Sequence, residues 1–192
     1  MISEEPIIVR VLESQEMSLV HTLRKLVWQE TKSGTGVIPD WLIEDEFDRN
    51  AIHWGAFHQG QLVAACRLSY VVDRRELSAH KMYSRLAGCA SVPLCLMERL
   101  VVRQDYTGNG LAARLDQERI LKAWELGVDR ILVGVPPYRV PGLMKLGFKI
   151  AGSSAEEFVD AGLPPAVLLF LPRWLSSIGK PNLTHASYWS LV

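Results

Sequence analysis

The stretch from Leu94 to Trp124 constrains the fold of this 192-residue chain more than any other. An apolar run of strand character ends near Val102, a polar turn leads into Gly108-Asn109-Gly110, and a helical pattern begins near Ala113. Glycine adopts positive φ and lets a ligand approach the backbone, and the N-terminus of the following helix offers unpaired N–H groups and a positive dipole end to phosphate. The pattern predicts a strand, a tight turn and a helix that cradle a phosphorylated cofactor, although Gly-x-Gly alone also fits an ordinary loop.

Two further motifs lie downstream of the glycine turn. Arg130 to Val135 has the composition of a strand, and a later segment ends in Lys-Leu-Gly-Phe. With these motifs in this order, the chain resembles the GNAT superfamily of acyl-CoA-dependent N-acyltransferases from about residue 6 to residue 172. The positions that carry the resemblance are Val102, Gly108, Gly110, Ala112 and Lys145 to Phe148.

The resemblance implies both a fold and a set of cofactor contacts. The expected fold class is α/β (α+β): a mixed, mainly antiparallel central sheet of six to seven strands, with helices on both faces and a splayed fourth/fifth strand pair. In such a fold the pantetheine arm of acetyl-CoA, or of another acyl-CoA, enters the gap between those two strands and binds the backbone of the fourth. Carried over to this chain, the cofactor-binding residues are Leu100, Val101 and Val102 for the pantetheine, and Gly108, Asn109, Gly110, Leu111, Ala112 and Ala113 for the pyrophosphate.

Three positions depart from the family pattern. Many members carry Gln or Arg three residues before the first glycine and Arg immediately before it, whereas this chain has Asp105 and Thr107. A carboxylate so close to a pyrophosphate repels it unless it points to solvent. The family also often places a general-acid Tyr four residues before the glycine of Leu-Gly-Phe, where this chain has Leu143. Protonation of the leaving thiolate must then come from another group or from water, or is not needed.

Glu98 is the candidate general base because it interrupts an otherwise apolar strand. Period-two alternation puts it on the same face as Leu100 and Val102, and apolar surroundings raise the pKa of a carboxyl group towards neutrality. The alternative is a structural ion pair. Arg67 is a candidate partner, since it also interrupts an apolar strand and must reach solvent or pair with a buried acid.

The remaining predictions concern the acid and the acceptor. Tyr138 follows the fifth strand, near where the family positions its acid, and either replaces the missing tyrosine or has a packing or surface role. Trp28, at the end of the first predicted helix, and Arg67 are the candidate substrate-binding residues. The alternative for Trp28 is that it packs in the hydrophobic core. The acidic run from Glu44 to Asp48 is either a solvated loop or a rim that attracts a cationic amine.

Composition narrows the class of protein. The length, with 48% hydrophobic and 22% charged residues, predicts one GNAT-like domain over residues 1–172 and a tail, 173–192, that packs on it or lies at a subunit contact. A net charge of zero argues against a nucleic-acid partner. The sequence shows no signal peptide, no run long enough for a membrane span, and no metal-ligand spacing among its cysteines and histidines. We therefore expect a cytoplasmic enzyme without a metal, with a homodimer as one option.

Three functions remain open from the sequence. The leading prediction is transfer of an acetyl group from acetyl-CoA to a primary amine, on a small molecule or a peptide, by direct attack in a ternary complex. A predicted extra helix from Glu76 to Leu86, with the apolar tail, favours a long-chain acyl-CoA or acyl-carrier-protein donor instead. The departures at Asp105, Thr107 and Leu143 favour a non-catalytic member that binds acyl-CoA or another protein.

Overall fold

A seven-stranded sheet forms the centre of the computed structural model, which describes residues 5–31, 38–80, 82–83, 91–153 and 166–173. The strands, numbered β1 to β7 along the chain, are Ile8–Val11, Ile52–His58, Gln61–Val71, Leu94–Val102, Arg130–Val135, Lys149–Ser153 and Val167–Pro172. Their order in the sheet is β1-β2-β3-β4-β5-β7-β6, and every neighbouring pair is antiparallel except β4 and β5, which are parallel. The predicted mixed, mainly antiparallel sheet is thus confirmed.

Helices cover both faces of this sheet, as predicted. The helices α1 to α5 are Met17–Thr31, Asp40–Ile43, Arg74–Ala79, Leu111–Glu125 and Val140–Lys145. Val20 of α1 shares a buried cluster with Ala65, while Leu115 of α4 shares another with Cys66. Ala65 and Cys66 are consecutive residues of β3, and successive strand residues point to opposite faces. The helices α1 and α4 therefore pack on opposite sides of the sheet.

The β2–β3 hairpin follows directly from its two turn residues. Gln59 and Gly60 connect the strands with φ of +51° and +74°, the left-handed pair that a two-residue hairpin of type I′ requires. Gln59-Gly60 between two apolar runs is also the sequence pattern of a tight hairpin turn, and the structure confirms this hairpin. Pro136 and Pro137 likewise end β5 at Val135, as expected for residues that cannot donate to a ladder.

Two elements differ from the sequence prediction. The extra helix after β3 begins at Arg74 and ends at Ala79, because His80 leaves the helical region with a ψ of 93°. The rest of the predicted Glu76–Leu86 helix includes residues 81 and 84–86, which lie outside the described part. The sequence also predicts a strand at Phe158-Val159, which lies outside the described part as well. The strand β6, Lys149–Ser153, was not predicted, since all five residues are exposed and carry no alternating pattern.

The parallel pair β4 and β5 separates soon after it forms. Cys95 to Met97 pair with Ile131 to Val133. Beyond these residues β4 continues to Val102 and β5 to Val135, but the two strands no longer pair with each other. The predicted splayed fourth/fifth pair is confirmed. Of the predicted tail, 173–192, the structure describes only Arg173, so its packing and the domain boundary at residue 172 stay predictions.

A β-bulge in β4 reverses the alternation on which one prediction depended. Glu98 pairs with Arg67 and Val101 pairs with Ala65, so that Arg99 and Leu100 lie opposite a single residue of β3. Arg99 is the extra residue of the bulge and has a φ of +51°. Such an insertion shifts all later side chains of the strand to the other face of the sheet. Glu98 consequently shares the α1 face with Val101. The expectation that it shares a face with Leu100 and Val102 is wrong.

Candidate active site

The glycine turn before α4 has the geometry that the sequence predicts. Gly108 and Gly110 have φ of +80° and +72°, and Gly110 is the N-cap residue of α4. No side chain caps this helix and no acidic residue lies in its first turn. Within the described part of the chain, Leu111, Ala112 and Ala113 therefore present backbone N–H groups without a side-chain partner, which suits an anionic phosphate.

The two departures in this turn do not obstruct it. The Asp105 carboxylate pairs with Arg103 at 2.7 Å, and its side chain is 57% exposed. It therefore meets the condition stated above, that the acid point to solvent. The Thr107 hydroxyl donates to the carbonyl oxygen of Gln104 at 2.7 Å and closes the short turn that precedes Gly108.

Tyr83 occupies the point where β4 and β5 separate. Its hydroxyl accepts a hydrogen bond from the Gly134 N–H at 3.0 Å and donates to the Met97 carbonyl at 3.5 Å. Met97 pairs with Val133 in the last rung of the parallel ladder, so the phenol takes the place of the next rung. The side chain is completely buried, and burial raises the pKa of Tyr83 well above its ordinary value. The phenol therefore stays protonated and holds the gap as a neutral wedge.

Beyond this wedge the β5 side of β4 has no strand partner among the residues that the structure describes. Leu100, Val101 and Val102 thus present that side of their backbone to the gap, while their other side faces β3. The same strand then leads through the turn at Gly108 into α4. The assignment of Leu100 to Val102 to the pantetheine arm, and of the glycine turn to the pyrophosphate, stays a prediction.

Glu98 lies at the centre of a buried polar network. Its Oε2 accepts hydrogen bonds from Arg67 at 3.0 Å and from the Ser69 hydroxyl at 2.9 Å, and its Oε1 lies 3.0 Å from His80 Nδ1. Burial acts to raise the pKa of Glu98, but the charge of Arg67, the contact with His80 and the charge of Arg99 together outweigh it, and the pKa lies well below its ordinary value. The ion pair with Arg67 is confirmed, and the predicted raised pKa is wrong because the surroundings are cationic rather than apolar.

Arg67 connects this carboxylate to the acidic run that follows α2. Its side chain, 1% exposed, also contacts Asp45 and Asp48, and Asp48 receives two further bonds from Arg24 at 2.7 and 2.9 Å. Glu44 and Glu46 of the same run are exposed. The run is therefore neither wholly a solvated loop nor wholly a rim. The contact of Arg67 with an acceptor stays a prediction, since its guanidinium pairs with protein carboxylates in this structure.

Arg119 supports the bulge from the opposite face. Its Nη1 donates to the carbonyl oxygens of Arg67 at 3.3 Å and Glu98 at 3.2 Å. Asp116 pairs with both Arg119 and Arg139 and so neutralises the buried guanidinium. The helix α4 thereby fixes the strand position from which Glu98 projects.

The Leu-Gly-Phe motif is a helix cap with no catalytic group. The Phe148 N–H donates to the Leu143 carbonyl at 3.2 Å, the Gly147 N–H donates to Met144 at 3.0 Å, and Gly147 has φ of +96°. This is the pattern of a Schellman cap, in which Leu143 and Phe148 pack together in the core. At this position the chain buries an apolar side chain where the family often has its acid.

The structure places the other two predicted residues apart from this network. Tyr138 is 82% exposed in a 3₁₀ turn over Pro137–Arg139. Trp28 packs against the cluster that contains Val101, and its buried Nε1 has no hydrogen-bond partner among the described residues. Their roles as acid and as acceptor contact stay predictions.

A cleft of about 240 Å³ opens beside Glu98. Ser69 and His80, which bind the two oxygens of Glu98, both line it. Sequence reasoning missed both residues. Alternation from Arg67 could have found Ser69, whereas His80 follows a helix end and carries no local signal. The lining residues are Glu46, Phe47, Asn50, Ser69, Tyr70, Val71, Glu76 and His80.

Other classes of site find little support in the part of the chain that the structure describes. No helix there is both long and apolar enough to cross a membrane, and no cluster of three or more histidine, cysteine or acidic side chains is arranged to hold a metal ion. Cys66 and Cys95 are buried free thiols, and burial raises the pKa of Cys66 to about 11 and that of Cys95 to about 12. Neither thiol is therefore a nucleophile near neutral pH.

The splayed parallel pair, the glycine turn and the uncapped helix match the cofactor gap of an acyl-CoA-dependent transferase. A family model described as "Acetyltransferase (GNAT) family" matches residues 20–148. The chain belongs to the GNAT acetyltransferase family and is an enzyme of that class. No curated protein matches the sequence significantly.

Solved structures share the fold at low identity. The Drosophila melanogaster polyamine N-acetyltransferase, described as forming N-acetylagmatine, aligns with a TM-score of 0.65 and 20% identity over 87% of this chain and all of its own. A PaiA N-acetyltransferase from Thermoplasma acidophilum in complex with coenzyme A gives 0.60 and 13% over 88% and 99% of the two chains. A GNAT acetyltransferase from Elizabethkingia anophelis with acetyl-CoA bound gives 0.58 and 12% over 86% and 97%.

Proposed function

We propose that this enzyme transfers the acetyl group of acetyl-CoA to a primary amine by direct attack in a ternary complex. The observation that carries the proposal is the gap between β4 and β5, which Tyr83 holds open in line with the glycine turn at Gly108 and Gly110. Solved structures of the same fold with coenzyme A or acetyl-CoA bound support the choice of donor. The residues that would hold it are Leu100 to Val102 and Gly108 to Ala113.

The acceptor enters through the cleft beside Glu98. Glu46 and Glu76 line this cleft and favour a cation, while Phe47 offers an aromatic face. The name of the Drosophila neighbour, a polyamine N-acetyltransferase, agrees with an amine that carries a second positive charge. We therefore propose a small cationic amine as acceptor, with a peptide amine as the alternative.

The protein's part in this reaction is to place two reactants and to move protons. When bound, the thioester supplies an activated acyl carbon, and a backbone N–H on the open side of Leu100 to Val102 would polarise its carbonyl. Holding the amine in line with that carbon removes most of the entropic cost of the encounter. The proton of the amine leaves towards Glu98 and its hydrogen-bonded neighbours, and Tyr138 remains the proposed donor to the departing thiolate.

Calorimetric titration with acetyl-CoA, octanoyl-CoA and free CoA tests the donor first. We expect acetyl-CoA to bind and the longer chain to add little affinity. Much tighter octanoyl-CoA binding would replace the proposal with a long-chain donor, and absence of binding for all three would contradict the acyl-CoA site.

A turnover assay then tests the acceptor. Release of free thiol from acetyl-CoA is measured with agmatine, with spermidine and with a primary alkyl monoamine of similar length that has no second charge. We expect agmatine and spermidine, which carry more than one positive charge, to give the higher kcat/KM. Binding of acetyl-CoA without turnover of any amine would favour the non-catalytic member of the fold. The cytoplasmic location and the homodimer stay proposals from the sequence.

A further inference from the structure

The proton acceptor of the proposed reaction need not be the carboxylate at the centre of the network. Glu98 binds Arg67, Ser69 and His80 at once, and only 12% of its side chain is exposed. A carboxylate that accepts hydrogen bonds from this many donors has a low affinity for a proton. The group that accepts the proton should lie between Glu98 and the cleft.

His80 has that position. Its Nδ1 lies 3.0 Å from Glu98 Oε1, its ring stacks on Phe47 with centroids 3.7 Å apart, and it lines the cleft. Only 5% of the residue is exposed, so the stack and the hydrogen bond fix the ring in one orientation. A carboxylate that accepts from Nδ1–H selects the tautomer whose lone pair is on Nε2.

The same segment also connects the cleft to the cofactor gap. The Tyr83 N–H donates to the His80 carbonyl oxygen at 2.8 Å, and the two rings lie 6.5 Å apart. Tyr83 in turn ends the β4–β5 ladder at Met97 and Gly134. One short turn of chain thus places an imidazole beside the acceptor cleft and a phenol at the mouth of the acyl-CoA gap.

We propose that His80 is the general base for the acceptor amine and that Glu98 is a positioning residue that orients its ring. This inference rests on the proposed amine acetylation. His80 Nε2 takes one proton from the ammonium form of the acceptor, and Glu98 stabilises the imidazolium that results. The neutral nitrogen then attacks the thioester carbon. The C–N bond forms and the C–S bond breaks with its electron pair going to the thiolate. The thiolate takes a proton from Tyr138, Tyr138 regains one from the attacking nitrogen, and His80 releases its proton to solvent.

The elements packed around His80 contribute several charged and titratable groups. They are Glu98 on β4, Arg67 on β3, which binds the other oxygen of Glu98, and Tyr83 on the same turn as His80. Glu76 on α3 and Glu46 on the turn after α2 line the same cleft. Four of these groups are anionic or neutral, so an imidazolium formed during turnover is matched by acidic surroundings.

The test begins with His80→Asn, whose amide can keep the hydrogen bond to Glu98 from the Nδ1 position while the Nε2 acceptor is lost. We expect kcat/KM for the best amine to fall about 10²- to 10⁴-fold and the Kd for acetyl-CoA to stay unchanged. The remaining activity should rise steadily with pH, because only the free amine reacts. His58→Asn is the matched control, since His58 is 4% exposed and hydrogen-bonded to Tyr106 at 2.7 Å, and it should keep the wild-type pH profile.

A second variant keeps the proposal falsifiable if His80→Asn is unstable. His80→Ala removes the ring, and added imidazole should restore part of the turnover, which a structural role of His80 would not produce. Wild-type-like kcat/KM in His80→Asn, or no rescue of a folded His80→Ala that still binds acetyl-CoA, would overturn the inference. Failure of the wild-type enzyme to acetylate any amine would instead overturn the proposed function on which it rests.

Discussion

The wedge between β4 and β5 yields the sharpest prediction. Tyr83→Phe keeps the ring in the core and removes only the hydroxyl that bridges Gly134 and Met97. The bond to Met97, at 3.5 Å, is long and contributes little. The bond from the Gly134 N–H, at 3.0 Å, is well formed, and its loss leaves a buried donor unsatisfied at a cost of about 1–3 kcal/mol. We expect the free energy of unfolding to fall by that amount.

Urea unfolding of Tyr83→Phe beside Tyr138→Phe measures this cost. The two substitutions are chemically identical, but Tyr138 is 82% exposed, so its change should stay within about 0.5 kcal/mol. Calorimetry on the same two proteins tests the function of the wedge. If the phenol keeps the strands apart, acetyl-CoA affinity should drop in Tyr83→Phe, by about tenfold for each 1.4 kcal/mol spent on reopening the gap.

Two results would refute the reasoning. Equal stability of the two variants would mean that the Tyr83 hydroxyl does not satisfy Gly134. A loss of stability with unchanged acetyl-CoA affinity would mean that the phenol supports the fold but does not hold the gap.

Three further predictions concern the turn and the ion-pair network. Gly108→Ala meets no steric contact within 4 Å, but it puts a side chain at φ of +80°. The backbone strain should cost about 1–2 kcal/mol of stability in urea unfolding, and calorimetry should show weaker acetyl-CoA binding. The control Gly142→Ala, on α5, should be neutral or slightly stabilising in the same two assays. Arg67→Met leaves buried carboxylates without their shared cation and should cost about 3–5 kcal/mol in urea unfolding; a loss below about 1 kcal/mol would contradict the buried network. Burial acts to raise the pKa of Asp48 and of Glu98, but their contacts with arginine side chains outweigh burial. Both pKa values therefore lie well below their ordinary values. Their stabilisation is thus complete above the unfolded-state pKa of about 4 and lost as pH falls below it, so urea midpoints should decline from pH 4 downwards. The decline should be smaller in Arg67→Met, because loss of the cation raises both folded-state pKa values towards or above the unfolded value.

Local sequence determines the parts of this protein whose geometry depends on neighbours in the chain. Gln59 and Gly60 form their hairpin turn, and Gly108 and Gly110 lead into α4, because turn chemistry and glycine freedom act within a few residues. The family motifs likewise predict the family to which the chain belongs.

The tertiary structure decided the acceptor side. Asp45, Arg67, His80 and Glu98 come from four separate segments, and nothing within any one of them shows which charges will meet. The bulge at Arg99 also reversed the face of every later residue of β4, which no alternation pattern can reveal. Glu98 lies at the centre of the buried network, and its pKa is lowered where the sequence predicted that it is raised. Its part in catalysis stays a prediction.

The sequence by itself determined the strand–turn–helix unit and the class of cofactor, since these follow from backbone preferences of adjacent residues. Only the tertiary structure decided how far β4 and β5 stay paired and what stands beside Glu98. Both depend on one inserted turn, in which His80 and Tyr83 reach back to strands that are distant in the chain. Packing and long-range hydrogen bonding, rather than any local propensity, set that placement.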